Sequence, residues 1–165
     1  MFKRSLLFAL AFVFLVASQG MAADLGIQFG SKWSSLGGHP TTIGLKAVED
    51  AYSFTARAGL YRYDMETRAD EENVYWVTLG GTFDYYLDPG EELRPYVGGD
   101  VDIHFYDIDD SETALSLVPH FGVEYWLSEN FSLSGEAGLG LGFGEVKEIE
   151  NSVATTTALH MTYYF

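Results

Sequence analysis

The chain has 165 residues, with 24 acidic against nine basic side chains, a formal charge of -15 and no cysteine. So acidic a chain repels phosphate backbones, which excludes nucleic acid as a partner, and without cysteine there is no disulfide or thiolate chemistry. Beyond the N-terminal twenty-odd residues no apolar stretch reaches the length of a transmembrane helix, so any membrane crossing must be made by strands.

Residues 1–23 read as a cleaved secretory signal peptide. Lys3 and Arg4 precede an apolar run from Leu6 to Ala17, and Gly20-Met21-Ala22-Ala23 offers small residues for cleavage after Ala22 or Ala23. The mature chain, 24–165, reads as one domain, and loss of Lys3 and Arg4 takes its formal charge from -15 to -17.

Eight runs of alternating character follow, each a strand by its period of two. Asp24–Trp33 sets Leu25, Ile27 and Phe29 against Gly26, Gln28, Gly30 and Lys32. Thr41–Val48 sets Ile43, Leu45 and Ala47 against Thr42, Gly44 and Lys46. Tyr52–Tyr63 sets Phe54, Ala56, Ala58 and Leu60 against Ser53, Thr55, Arg57 and Gly59. Asn73–Leu87 sets Val77, Leu79, Phe83 and Tyr85 against Thr78, Gly80, Thr82 and Asp84. Arg94–Tyr106 sets Val97, Val101, Ile103 and Phe105 against Gly98, Asp100, Asp102 and His104. Ala114–Leu127 sets Leu115, Leu117, Phe121, Val123 and Tyr125 against Ser116, His120, Gly122 and Glu124. Phe131–Gly144 sets Leu133, Ala137, Leu139, Leu141 and Phe143 against Ser134, Glu136, Gly138, Gly140 and Gly142. Ser152–Phe165 sets Val153, Leu159, Met161, Tyr163 and Phe165 against Ala154, Ala158, His160, Thr162 and Tyr164.

Between the runs, Glu49-Asp50, Asp88-Pro89-Gly90 and Ser128-Glu129-Asn130 have turn chemistry, while 34–40, 64–72, 107–113 and 145–151 read as longer loops. Pro119 lies inside a run and is expected to remove one ladder hydrogen bond. Most runs have the 9 to 11 residues or more that a tilted membrane strand requires.

A soluble, lipocalin-type barrel would place the apolar face inside. Here that face carries about six large side chains per strand, too many for an eight-stranded interior, and the opposite face is rich in Gly, Ser and Thr with charges of both signs. Aromatic residues gather near strand ends (Tyr52, Phe54, Tyr85, Phe105, Tyr125, Phe131, Phe143, Tyr163, Phe165) as interfacial girdles do. The fold class is therefore all-β, an eight-stranded antiparallel up-and-down transmembrane β-barrel with its polar face inside.

With eight alternating runs, an aromatic residue closing the last of them, and the segment Arg94-Pro95-Tyr96-Val97-Gly98-Gly99 opening the fifth, the chain resembles the small eight-stranded outer-membrane family of OmpX/Ail proteins and the OmpA transmembrane domain. The resemblance implies a bacterial outer-membrane location and a C-terminal assembly signal, carried here by Tyr163 and Phe165. It implies partners in the barrel assembly machinery and periplasmic chaperones, contact with outer-membrane lipid and lipopolysaccharide, and a monomeric state. The termini and the short turns are then periplasmic and the four longer loops face outside.

The expected lumen network comprises Lys32, Lys46, Arg57, Asp84, Asp100, Asp102, His104, His120, Glu124, Glu136 and His160. Charges in a narrow lumen must pair and hydrogen-bond, so the expectation is a polar plug with a structural, envelope or surface-interaction role. A gated ion or solute path, with Arg57 switching between carboxylates, is the alternative. The histidines stand on separate strands without H-E-x-x-H or paired spacing, which points to protonatable hydrogen-bonding groups. No metal site, no cofactor and no catalytic residue is expected.

A lipid A-modifying enzyme is a further alternative, but the His-x-Ser pair of a deacylase is absent and a polar lumen does not suit an acyl chain. His39 with Ser34 and Ser35 offers only a fragment of a triad. The outer loops carry the acids Asp70, Glu71, Glu72, Asp107, Asp109 and Asp110 among others, which could share divalent cations with neighbouring lipopolysaccharide phosphates.

Overall fold

The computed structural model describes residues 24–34, 41–66, 71–107, 112–144 and 152–165. The signal peptide over 1–23, His39, and Asp70, Asp109 and Asp110 of the acidic segments lie outside the described residues. Eight strands are present: β1 (Asp24–Ser34), β2 (Thr41–Glu49), β3 (Tyr52–Glu66), β4 (Glu71–Tyr86), β5 (Leu93–Asp107), β6 (Glu112–Ser128), β7 (Phe131–Gly144) and β8 (Ser152–Tyr164). Each pairs antiparallel with its sequence neighbours, and β8 returns to β1 to close a barrel. The closure gives both edge strands a partner, the arrangement that lets a sheet stand in hydrocarbon.

The wall is organised by the period-two pattern. Along β8 every residue from Val153 to Phe165 alternates between exposed and buried. Among the described residues 26 large apolar side chains are exposed, whereas 18 polar or charged residues are buried against eight apolar ones. That is the reverse of a water-soluble protein, and it settles which face is inside. At the short-turn end Tyr85, Tyr125, Tyr163 and Phe165 are exposed on the outer surface. Tyr52, Phe54 and Phe83 pack there as a cluster, with ring centroids 5.0 to 6.4 Å apart.

Three local features shape the wall. Asp50 takes a positive φ of 34° in the two-residue turn Asp50-Ala51, a conformation that Asp tolerates better than most side chains. Leu127 is an extra residue between the pairs Trp126–Ser132 and Ser128–Phe131, a bulge just past Trp126, which keeps the inward parity of Glu124 and stacks on Tyr164. Pro119 pairs with Gly99 of β5, but toward β7 the ladder steps from Leu117–Leu141 to His120–Gly138 with neither Val118 nor Pro119 paired, as its missing N–H requires.

Strand ends differ from the sequence expectation. β3 continues to Glu66 and β4 starts at Glu71, with Glu66 opposite Glu71 and Met65 opposite Glu72. β5 runs through Asp107. Glu71, Glu72 and Asp107 thus stand on strands, not in loops. Cross-strand hydrogen bonding carried along each hairpin outweighs the weak strand preference of acidic residues.

Candidate functional site

All eleven residues expected in the lumen face into it, and they assemble as three connected groups. Nearest the short turns, Glu124 is fully buried and forms a hub. Its carboxylate accepts from Lys46 Nζ at 2.9 Å, Ser132 Oγ at 2.5 Å, Tyr164 Oη at 2.9 Å and the Tyr86 hydroxyl. Four donors on one carboxylate compensate its desolvation. Tyr86, Tyr96, Tyr164 and Val48 form a small apolar cluster around the hub, with Trp126 packed against it. Below Trp126 the Arg94 guanidinium lies 4.5 Å from the ring centroid.

The middle of the lumen is spanned by Arg57. Its Nη2 reaches both Asp102 oxygens at 2.8 and 2.9 Å, and its Nη1 donates to Asp100 Oδ1 at 2.9 Å and to Thr82 Oγ1 at 2.6 Å. Lys32 approaches the same acids from β1, 2.6 Å from Asp100 and 3.5 Å from Asp102. Toward the longer loops the His104 ring bridges Thr78 Oγ1 at 2.9 Å and Ser116 Oγ at 3.0 Å.

The third group surrounds His120. Asp84 lies 2.8 Å and Glu136 3.7 Å from Nε2, and on the other side of the ring Nδ1 is 3.2 Å from the Val118 carbonyl and 3.7 Å from Asp100. Glu136 also lies 3.5 Å from His160 Nε2 and accepts from the Tyr96 hydroxyl at 3.4 Å.

Interior glycines make this density possible. A Cβ on Gly80 would overlap the Asp102 carboxylate, one on Gly98 would overlap Asp84, and one on Gly122 would strike the Tyr96 ring. The alternating glycines therefore hold room for charged and aromatic side chains from neighbouring strands.

Sequence reasoning did not single out Tyr86, Tyr96, Ser53 and Ser132 as lumen hydrogen-bonding groups. Their positions on the polar side of the alternation were the available signal. At the seam, Tyr163 and Phe165 point outward, and the Phe165 amide donates to the Leu25 carbonyl at 3.0 Å, extending the β8–β1 closure to the last residue.

A closed barrel, apolar outside and packed with ion pairs inside, is a transmembrane β-barrel. Its fold is similar to that of Neisserial surface protein A, with a TM-score of 0.61 and 18% identity, covering 87% of this chain and 96% of that one. It is also similar to a major outer membrane protein from Thermus thermophilus, with a TM-score of 0.56 and 16% identity over 87% of this chain and all of that one. The N-terminal β-barrel domain of Pseudomonas aeruginosa OprF aligns with a TM-score of 0.53 and 19% identity, over 89% of this chain and 100% of the domain. No protein-family model and no curated protein matches the sequence. At these identities the likeness is one of fold, and the fold is that of the small outer-membrane β-barrels.

Proposed function

We propose that the protein is an outer-membrane barrel with a plugged lumen, serving the envelope as a structural or surface-interacting element and not as a route for solutes. The observation that carries this is Arg57. It holds Asp100 and Asp102 at the same time, with Lys32 on the same two acids. A switching gate needs a carboxylate waiting to receive the guanidinium, whereas both nearby acids are already engaged. The Glu124 hub adds a second fully buried layer toward the short turns.

The polar lining also argues against a lipid A-modifying enzyme, whose acyl substrate would need an apolar slot. The decisive experiment measures planar-bilayer conductance and lipid A composition with the same refolded protein. The expected result is brief, small conductance events at most, with lipid A unchanged. Steady porin-like conductance would refute the plug, and deacylated or palmitoylated lipid A would refute the non-enzymatic reading.

A further inference from the structure

Lys32 and Arg57 neutralise Asp100 and Asp102, and Lys46 neutralises Glu124. Among the described residues the ion-pair partners of Asp84 and Glu136 are instead the imidazoles of His120 and His160. A neutral imidazole cannot balance a buried carboxylate, so the balancing charge here comes from a second proton on an imidazole or from a bound cation.

The surroundings of His120 show where that charge belongs. The His120 side chain is fully buried, and both of its nitrogens face atoms that only accept: the Val118 carbonyl at Nδ1 and the Asp84 carboxylate at Nε2. An Nδ1–H given to a backbone carbonyl is the usual way a metal-ligating histidine fixes its tautomer and turns Nε2 toward the ion. Asp100, His120 and Glu136 each offer a ligand atom within 4.8 Å of the other two, and Asp84 stands 2.8 Å from Nε2. Zinc–nitrogen and zinc–oxygen bonds are about 2.0 to 2.2 Å long, so small side-chain shifts would bring these atoms around one ion. Asp100 Oδ1 is held by Arg57 and Thr82, while its Oδ2 faces Lys32, which would have to give it up to an ion. His160, whose Nδ1 has no hydrogen-bond partner among the described residues, stands beyond Glu136 as a further ligand or orienting group.

We propose that His120, Glu136 and Asp100, with Asp84 beside the ring, form a lumen site for a divalent first-row transition-metal ion of the zinc type. Mixed imidazole and carboxylate donors suit such ions. The cysteine-free, three-strand construction explains why no spacing motif marks the site: Asp100, His120 and Glu136 come from β5, β6 and β7 through barrel register alone.

The test uses the refolded full barrel, stripped with chelator and titrated with Zn²⁺ by calorimetry and thermal unfolding. His120→Gln and Glu136→Gln are compared with His104→Gln, which alters a different part of the lumen. The expected result is one saturable Zn²⁺ per chain in wild type and His104→Gln, with a raised melting temperature. Affinity should fall by more than about tenfold in Glu136→Gln, and saturable binding should vanish in His120→Gln. Retention of wild-type affinity by His120→Gln, or no saturable binding by wild type, overturns the proposal. Should His120→Gln fail to refold, Co²⁺-loaded wild type decides: visible bands of a low-coordinate site with nitrogen ligation support it, and the spectrum of hexaaquo cobalt overturns it.

Discussion

Replacing Arg57 with Met tests the energetic claim at the centre of the plug. The substitution keeps most of the aliphatic stem and removes the charge, so it separates electrostatics from packing. Asp100 would keep Lys32 at 2.6 Å and the Thr82 hydroxyl at 2.7 Å. Asp102 would lose three guanidinium contacts and keep only Lys32 at 3.5 Å. One buried carboxylate, not two, is therefore left short of a partner. Breaking a buried pair from one side costs about 3 to 5 kcal/mol, and Lys32 should hold the loss near the lower end, about 3 kcal/mol. Asp102→Asn in the Arg57→Met background removes the stranded charge and should recover about 2 kcal/mol, a coupling readable in a double-mutant cycle. Urea unfolding of the barrel in lipid vesicles, followed by tryptophan fluorescence, supplies the four free energies. A cost below about 1 kcal/mol for Arg57→Met, the size of an exposed pair, or strict additivity of the two substitutions, would refute the reasoning.

Three further outcomes are expected. An unheated sample should migrate differently from a boiled one on an SDS gel, and deleting Phe165, which removes the amide bonded to Leu25, should reduce membrane assembly in cells; a single heat-independent band from a soluble fraction would contradict it. Gly122→Ala should force the Tyr96 ring from its place and cost about 1 to 3 kcal/mol, checked by the same unfolding assay with Gly90→Ala, which meets no atom within 4 Å, as reference. Changing Asp107, Asp109 and Asp110 to Asn should diminish calcium-dependent stabilisation in lipopolysaccharide-containing bilayers, and equal calcium shifts in wild type and variant would show that the acidic rim is only solvated charge.

The wall of the barrel was legible because period two reports which way each side chain faces. Lys46, Arg57, Asp84 and Glu124 could be assigned to the interior without knowing any strand pairing. Which of them meet was not legible. Lys46 and Glu124 are 78 positions apart, and their contact depends on barrel stagger, which no single strand encodes. The same holds for His120, whose neighbours come from separate hairpins. The inward tyrosines were obscured for a different reason: in a barrel with aromatic girdles, Tyr86 and Tyr96 resemble interfacial residues until their hydroxyls are seen against Glu124 and Glu136. Trp126 shares the inward parity of Glu124, but the one-residue bulge that follows it is a feature that alternation alone cannot reveal.

The break in pairing at Pro119 gives the wall a mechanical character that its static description does not. Cross-strand hydrogen bonds around a closed barrel act like staves held by a hoop, and parting begins where the hoop is thinnest. Between β6 and β7 that place is Val118 and Pro119, immediately beside His120. Amide exchange in this seam should run ahead of the uninterrupted β3–β4 seam, and forced unfolding should start here. A slit here faces hydrocarbon on its outer side, so it loosens the wall around the buried histidine without giving water or ions a sideways path, and both mouths of the plug stay shut.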